Sequence, residues 1–122
     1  MKEKDFQSYF NKWLKAVHRQ TGLFELKQTK TSSLPYSALA LHQEQALLQA
    51  KHGTLVFKIP DCGYQNPADC FSLSGVPAFV VVKFPEGSYG IDIDDFIRQR
   101  DSSDRKSLTE DEARVIHSFE VK

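Results

Sequence analysis

Apolar and polar residues follow two different periods along this chain, and the periods predict its first elements. Between residues 5 and 20, apolar side chains recur every three or four positions, which predicts an amphipathic helix. The stripe consists of Phe6, Tyr9, Phe10, Trp13 and Val17. Thr21-Gly22 is a typical helix ending. Leu23 to Thr29 then predicts a strand, in which Glu25 and Lys27 project from one face.

A second helix is predicted from residue 38 to 51, with Ser37 as its N-cap. Its buried stripe consists of Leu39, Ala46, Leu47 and Ala50. Gln43 lies on the same stripe, and an inward amide needs hydrogen-bond partners. A neighbouring backbone group or a functional site could supply them. We predict that Gln43 faces the side chains of Glu25 and Lys27.

The second half of the chain is dominated by strand patterns. Strands are predicted at 54–59, 69–73, 78–84 and 89–93. The run at 78–84 is almost wholly apolar, which indicates a central strand buried on both faces, whereas 89–93 is predicted at an edge. A short helix over 94–100 follows. The last helix begins with overlapping capping boxes at Ser107 and Thr109 and carries Phe119 inward.

These elements predict a single α/β domain over residues 1–122. Helices and strands alternate up to residue 60, and a run of strands follows. The expected architecture is a mixed central β-sheet flanked by α-helices, in which 23–28 and 78–84 share the sheet. The length, with 40% hydrophobic and 26% charged residues, suits one domain with its own core.

Composition excludes several classes of protein. No apolar run approaches the ~20 residues of a membrane span, and the charged residues after Met1 do not form a secretory signal. We therefore expect a cytoplasmic protein that does not bind a membrane. Cys62 and Cys70 are the only cysteines. A zinc site usually needs about four Cys or His ligands at short spacing, and the sequence has no such cluster. A disulfide is the alternative, but in a cytoplasmic chain we expect two small, partly buried thiols.

Charge is balanced overall but uneven along the chain. Residues 1–60 contain nine Lys or Arg against four Asp or Glu, and residues 61–122 contain seven against twelve. A basic half suits a polyanionic partner, and an acidic half can supply metal ligands. The alternative is that folding interleaves the two halves and no charged patch forms.

The candidate chemistry lies on the first strand and the loop after it. A carboxylate and an ammonium on one strand face, such as Glu25 and Lys27, can hold a metal ion and a water beside a phosphate. They can also form a surface ion pair that contributes little. The polar loop over 29–35 offers hydroxyl groups and Lys30 to phosphate oxygens, although ordinary turn chemistry explains these residues equally well.

The order of these motifs resembles Holliday-junction resolvases of the RecU type and, more broadly, the PD-(D/E)xK nuclease superfamily. The resemblance covers roughly residues 6–59: Phe24-Glu25-Leu26-Lys27-Gln28-Thr29, a Ser/Pro loop, His42-Gln43 on a helix, and an apolar strand after Gly53. It implies a restriction-endonuclease-like fold and hydrolysis of DNA phosphodiesters that depends on Mg²⁺ or Mn²⁺. Branched DNA would be a partner, and a homodimer is compatible with the resemblance.

The resemblance also implies a role for each motif residue. Glu25 would be a metal ligand, Lys27 would position the water or stabilise charge, and Gln43 would support the site. The Asp of the family normally precedes the Glu-x-Lys strand in a hairpin with it, for which there is no room here. Residues 67–71, a turn and Val81-Val82-Lys83 look like that hairpin displaced downstream.

We therefore expect Asp69 to join Glu25 and Lys27 in one site, with Asp61 as the reserve metal ligand. A small DNA endonuclease is the leading hypothesis. One alternative is a non-catalytic nucleic-acid-binding relative of the same fold. Another is a structural α/β module in which Glu25 and Lys27 are an ion pair.

Overall fold

The structure, a computed structural model, describes residues 3–17, 22–58 and 70–121. The helices are α1 (Glu3–Val17), α2 (Leu41–His52), α3 (Ile93–Ser102) and α4 (Glu110–Ile116), with a 3₁₀ turn at Tyr36–Ala38. The strands are β1 (Leu23–Gln28), β2 (Ser33–Pro35), β3 (Thr54–Lys58), β4 (Cys70–Ser74), β5 (Ala78–Lys83), β6 (Ser88–Asp92), β7 (Ser107–Thr109) and β8 (Phe119–Val121). None of the described helices is long and apolar enough to cross a membrane.

A mixed four-stranded sheet in the order β1-β5-β6-β8 forms the centre of the fold. β1 runs parallel to β5, in a register that places Leu23 beside Ala78 and Gln28 beside Lys83. The other two pairings are antiparallel. The prediction of an α/β fold whose mixed sheet joins 23–28 with 78–84 is therefore confirmed.

Two further pairings lie outside this sheet. β2 pairs with β7, and β3 pairs with β4 as an antiparallel hairpin. The displaced hairpin predicted from residues 67–71 and 81–83 is wrong, because β4 and β5 belong to different sheets. The physical reason is the composition of β5. Val80, Val81 and Val82 are each 0% exposed, and a strand that buries both faces belongs inside a larger sheet.

The two faces of the central sheet hold separate hydrophobic clusters. One face packs on α1 through Phe6, Phe10, Val81 and Val121. The larger cluster on the other face includes Leu47, Val80, Val82, Ile91, Ile93, Phe96, Leu108 and Ala113. In α1, Phe6 and Phe10 are buried as predicted, whereas Tyr9 is 43% exposed, so its place in the buried stripe was predicted wrongly. The structure does not describe the side chain of Val17.

The end of the chain adds a strand where the sequence predicts helix. α4 ends at Ile116, and the Ser118 N–H donates to the Gly90 carbonyl, which draws the chain into β8 beside β6. β6 is thus an interior strand and not the predicted edge. A Cβ atom at Gly90 would overlap the Phe119 ring, so this glycine permits the pairing.

Ion pairs bring the basic first half and the acidic second half together. The Lys51 ammonium lies 2.8 Å from Asp92 and 2.5 Å from Asp94, and Arg100 lies 2.5 Å from Glu44. The hydrogen bond from Lys51 lowers the pKa of Asp94. These pairs join α2 to the start and end of α3. The alternative in which folding interleaves the two charged halves is therefore realised at this contact.

Candidate functional site

β1 presents Glu25 and Lys27 toward α2, and Phe24 and Leu26 toward α1. Glu25 and Lys27 lie beside Val80 and Val82 of β5, which belong to the cluster on the α2 face. Phe24 and Leu26 pack into the cluster beneath α1. The alternation predicted for this strand is confirmed, and it places a carboxylate and an ammonium on one face of the sheet.

Glu25 and Lys27 form a partly covered ion pair. The Lys27 Nζ lies 3.6 Å from the Glu25 Oε1, and the side chains are 17% and 30% exposed respectively. At this separation the two charges attract each other without a hydrogen bond of ordinary length. The lysine is the more enclosed partner, so its charge is the less screened by solvent.

Gln43 connects this pair to the first turn of α2. Its Nε2 donates to the Glu25 Oε1 over 2.9 Å, and its Oε1 accepts from the Ala40 N–H over 3.0 Å. The prediction that Gln43 faces the Glu25–Lys27 side chains is confirmed. Two opposite contacts fix the orientation of the amide, with the donor end toward the carboxylate.

The local sequence explains why Gln43 takes this position. The N-cap of α2 is Ala40 and not the predicted Ser37, which lies in the 3₁₀ turn. Gln43 is the third residue of α2, and its Oε1 accepts from the Ala40 N–H, which is the bond that the N3 side chain makes in a capping box; alanine has no side-chain acceptor for the reciprocal bond. The Nε2 of the same amide is then free to reach β1. The polar residue on an apolar stripe was the signal that located this contact.

Glu44 is a neighbour that sequence reasoning missed. It is only 9% exposed and pairs with Arg100 of α3. The pair fastens the first turn of α2 to a second helix, next to the residue that contacts Glu25. No spacing rule connects positions 44 and 100, because the contact depends on how α2 and α3 pack.

The comparisons with known proteins assign no family. No family model, curated protein or solved structure matches the chain. The likeness to PD-(D/E)xK nucleases consequently depends on the motif residues and on their geometry.

Two further carboxylates were predicted as metal ligands beside Glu25. Asp61 and Asp69 fall outside the described residues, so their positions relative to Glu25 stay predictions. Over residues 3–17, 22–58 and 70–121, no group of three or more His, Cys, Asp or Glu side chains could hold a metal ion. Glu25 is thus the described part of the expected ligand set.

The hydroxyl groups of the loop after β1 form hydrogen bonds within that loop. The Thr29 and Thr31 hydroxyls both donate to the Ser33 carbonyl, over 3.0 and 2.9 Å. The Thr31 N–H also donates to the Thr29 hydroxyl. This is the turn chemistry that the sequence offered as one explanation. Lys30 is exposed at the tip and remains the loop residue that could meet a phosphate.

Proposed function

We propose that this protein is a metal-dependent DNA endonuclease that hydrolyses phosphodiester bonds, with a Holliday junction as a candidate substrate. The observation that supports it best is the hydrogen bond from Gln43 to Glu25, on the strand face that also carries Lys27. Three motif residues from two separate elements converge, which supports the part of the site that the resemblance assigns to them. A chance ion pair on a strand would not need an oriented amide.

Glu25 fits the role of a ligand for a hard divalent cation. Mg²⁺ prefers oxygen ligands and is commonly held by one or two carboxylates together with water and substrate phosphate. Among the described residues, Gln43 and Lys27 both approach the Oε1 of Glu25, so Oε2 is the oxygen that would bind a cation. In this proposal the Leu26 carbonyl and Asp69 complete the set, with Asp61 in reserve. A bound Mg²⁺ or Mn²⁺ would polarise the phosphoryl group and lower the pKa of the attacking water.

Lys27 would stabilise the negative charge that develops on the phosphate. Its side chain is 17% exposed, and a fixed cation in a covered site stabilises charge more strongly than one in bulk water. Gln43 would hold the Glu25 carboxylate in one orientation. The N-terminal turn of α2, which Gln43 caps, adds a positive dipole end on the same side.

A non-catalytic nucleic-acid-binding relative is the second candidate. The observation that favours it is the ligand count, because the described residues contain no cluster of three potential metal ligands. In that case Lys27 and Lys30 would contact backbone phosphates, and Glu25 would serve mainly to place Lys27. This candidate predicts binding of DNA that does not require a divalent cation.

A cleavage and binding panel separates these functions. The protein is incubated with four-way-junction, duplex and single-stranded DNA of matched sequence, in Mg²⁺, Mn²⁺ or EDTA. The proposed nuclease cleaves at least one substrate in the presence of metal and none in EDTA. Binding without cleavage in any metal would favour the second candidate. Neither binding nor cleavage would leave Glu25 and Lys27 as a structural ion pair and overturn the proposal.

A further inference from the structure

A continuous chain of hydrogen bonds joins α3 to the candidate site on β1. The Arg100 Nη1 donates to the Glu44 Oε1 over 2.5 Å, and the Glu44 N–H donates to the Ala40 carbonyl over 3.0 Å. The Ala40 N–H donates to the Gln43 Oε1 over 3.0 Å. The Gln43 Nε2 then donates to the Glu25 Oε1 over 2.9 Å. A side chain of α3 is thus connected to the Glu25 carboxylate through the first turn of α2.

Ala40, the N-cap of α2, links Glu44 to Gln43 in this chain. Its carbonyl accepts from the Glu44 N–H, and its own N–H donates to the Gln43 side chain. The N–H groups at the start of a helix have no intrahelical acceptor, so main-chain bonds hold the first turn less firmly than the helix interior. A movement of Glu44 therefore moves Ala40, and a movement of Ala40 alters the bond that orients the Gln43 amide.

Glu44 is a covered carboxylate that needs the Arg100 cation. Its side chain is 12% exposed, and a charge in such a position is strongly unfavourable when its partner is removed. The unpaired carboxylate would turn toward solvent and draw the first turn of α2 with it. Arg100 also pairs with Asp101, but that side chain is 65% exposed, so solvent screens the second pair more. The pair with Glu44 is therefore the one that fixes the helix.

We propose that Arg100 is a positioning residue for the Glu25 carboxylate and acts through Glu44 and Gln43, although its own hydrogen bonds go to Glu44 and Asp101. With Arg100 in place, the first turn of α2 keeps the donor end of the Gln43 amide toward β1. Without it, Glu44 turns outward and the amide loses its fixed orientation. This geometric inference holds for any function of the site, whereas its effect on DNA cleavage rests on the proposed nuclease activity.

The two ends of α2 supply a matched pair of variants. Arg100→Ala removes the ion pair at the first turn, and Lys51→Ala removes the one at the last turn, where Lys51 pairs with the start of α3. Exchange of the Gln43 side-chain NH₂ protons with solvent, measured by NMR without DNA or metal, reports the bond to Glu25. We expect this exchange to be about fivefold or more faster in Arg100→Ala, the factor for one ordinary hydrogen bond, and unchanged in Lys51→Ala.

The double variant Arg100→Ala with Glu44→Gln separates this role from a general loss of packing. The glutamine carries no charge that must turn toward solvent, so slow exchange of the Gln43 amide should return although Arg100 is absent. Thermal unfolding checks that each variant folds. Arg100→Lys keeps the charge but loses the planar guanidinium, so it should give an intermediate rate and serves if the alanine variant does not fold.

Cleavage is measured separately, so the role of Arg100 and the nuclease activity can fail independently. If wild type cleaves DNA, the single-turnover rate should fall in Arg100→Ala while the affinity for DNA stays the same. Absence of cleavage by wild type would overturn the nuclease activity alone, because the NMR comparison still decides the role of Arg100. Gln43 exchange that is equally fast in Arg100→Ala and Lys51→Ala, that stays as slow as in wild type in Arg100→Ala, or that the double variant does not restore would overturn the positioning role.

Discussion

At the scale of single residues, the geometry of the site depends on the Gln43 amide, in which both the oxygen and the nitrogen form hydrogen bonds. Gln43 accepts from the Ala40 N–H and donates to Glu25, so the packing of α2 determines where the carboxylate points. Glu25 in turn lies 3.6 Å from Lys27. A change in any of these side chains therefore alters the charge or the orientation of the other two. The role of each residue can therefore be measured only with a variant that leaves the other two side chains in place.

Lys27→Ala is expected to lower the rate of DNA cleavage by about 10² to 10³, with DNA and metal binding mostly intact. The reason is that its charge is needed mainly in the transition state, where the loss of one stabilising group costs rate more than affinity. Single-turnover cleavage and a separate binding titration check the two parts. Lys106→Ala, which removes the same charge from an exposed loop position, is the matched control. Full activity of Lys27→Ala would show that this lysine is an ordinary strand residue.

Asp69→Asn is expected to weaken Mg²⁺ or Mn²⁺ binding and to abolish cleavage, because a neutral amide oxygen replaces a charged ligand. Folding should be nearly unaffected, since two carboxylates in one site repel each other when no metal is bound. Calorimetric titration of the metal into wild type and variant measures the affinity. Unchanged affinity and activity would transfer the role to Asp61, and the same result for Asp61→Asn would leave Glu25 without a second carboxylate.

At the scale of elements, the spacing of hydrophobic residues predicted the long helices and strands but did not predict the strands of three residues. β1, α2 and β5 lie close to their predicted positions because each has a clear pattern over six or more residues. β2, β7 and β8 have three residues each, too few to show a period. Phe119 follows Ile116 by three residues, which fits a helix, but a main-chain bond to Gly90 places it in a strand. That bond is long-range and has no local signal.

The contacts of the candidate site also divide into those that the sequence predicted and those that it did not. The contact between Gln43 and Glu25 was predicted because an amide on an apolar helix stripe needs hydrogen-bond partners, and the neighbouring backbone group that was the alternative also contributes, through the Ala40 N–H. The displaced hairpin was not correctly predicted, because strand order depends on which strands need both faces buried. The partner of Glu44 was not predictable either, since Arg100 reaches it only through the packing of α3.

The capping box of α4 gives an element-scale prediction with a pH dependence. The Glu112 side chain accepts from the Thr109 N–H, and this bond is the main cause that lowers the pKa of Glu112. A carboxylate with a lowered folded-state pKa contributes stability above its ordinary pKa of 4.5, and loses that contribution as the pH falls through the folded-state pKa. Glutamine keeps the accepting oxygen but loses the charge, so Glu112→Gln should reduce the free energy of unfolding at neutral pH by about 0.3–1 kcal/mol.

Urea unfolding of wild type and Glu112→Gln at neutral pH and at successively more acidic pH values measures this effect. The difference in the free energy of unfolding should shrink as the solution becomes more acidic than the ordinary glutamate pKa. Asp104→Asn removes one charge from an exposed loop position and serves as the control. A difference that stays constant over the acidic range would contradict a role for the charge of Glu112 in the cap.

At the scale of the whole molecule, the two faces of the central sheet differ in the side chains that they carry. The α1 face is an aromatic cluster in which Phe24, Phe79 and Phe119 contact one another. The α2 face carries the larger core and, at the β1 end, the Glu25–Lys27–Gln43 site.

We propose above all that metal-dependent cleavage of DNA requires the Glu25 carboxylate. The most direct measurement is the single-turnover cleavage rate of wild type and Glu25→Gln in saturating Mg²⁺, with enough protein to bind all of the labelled DNA. The glutamine keeps the shape and the hydrogen-bonding oxygen of the side chain but removes its charge. We expect cleavage by wild type that EDTA abolishes, and a rate at least about 10² lower in the variant. Equal rates for the two proteins would contradict it.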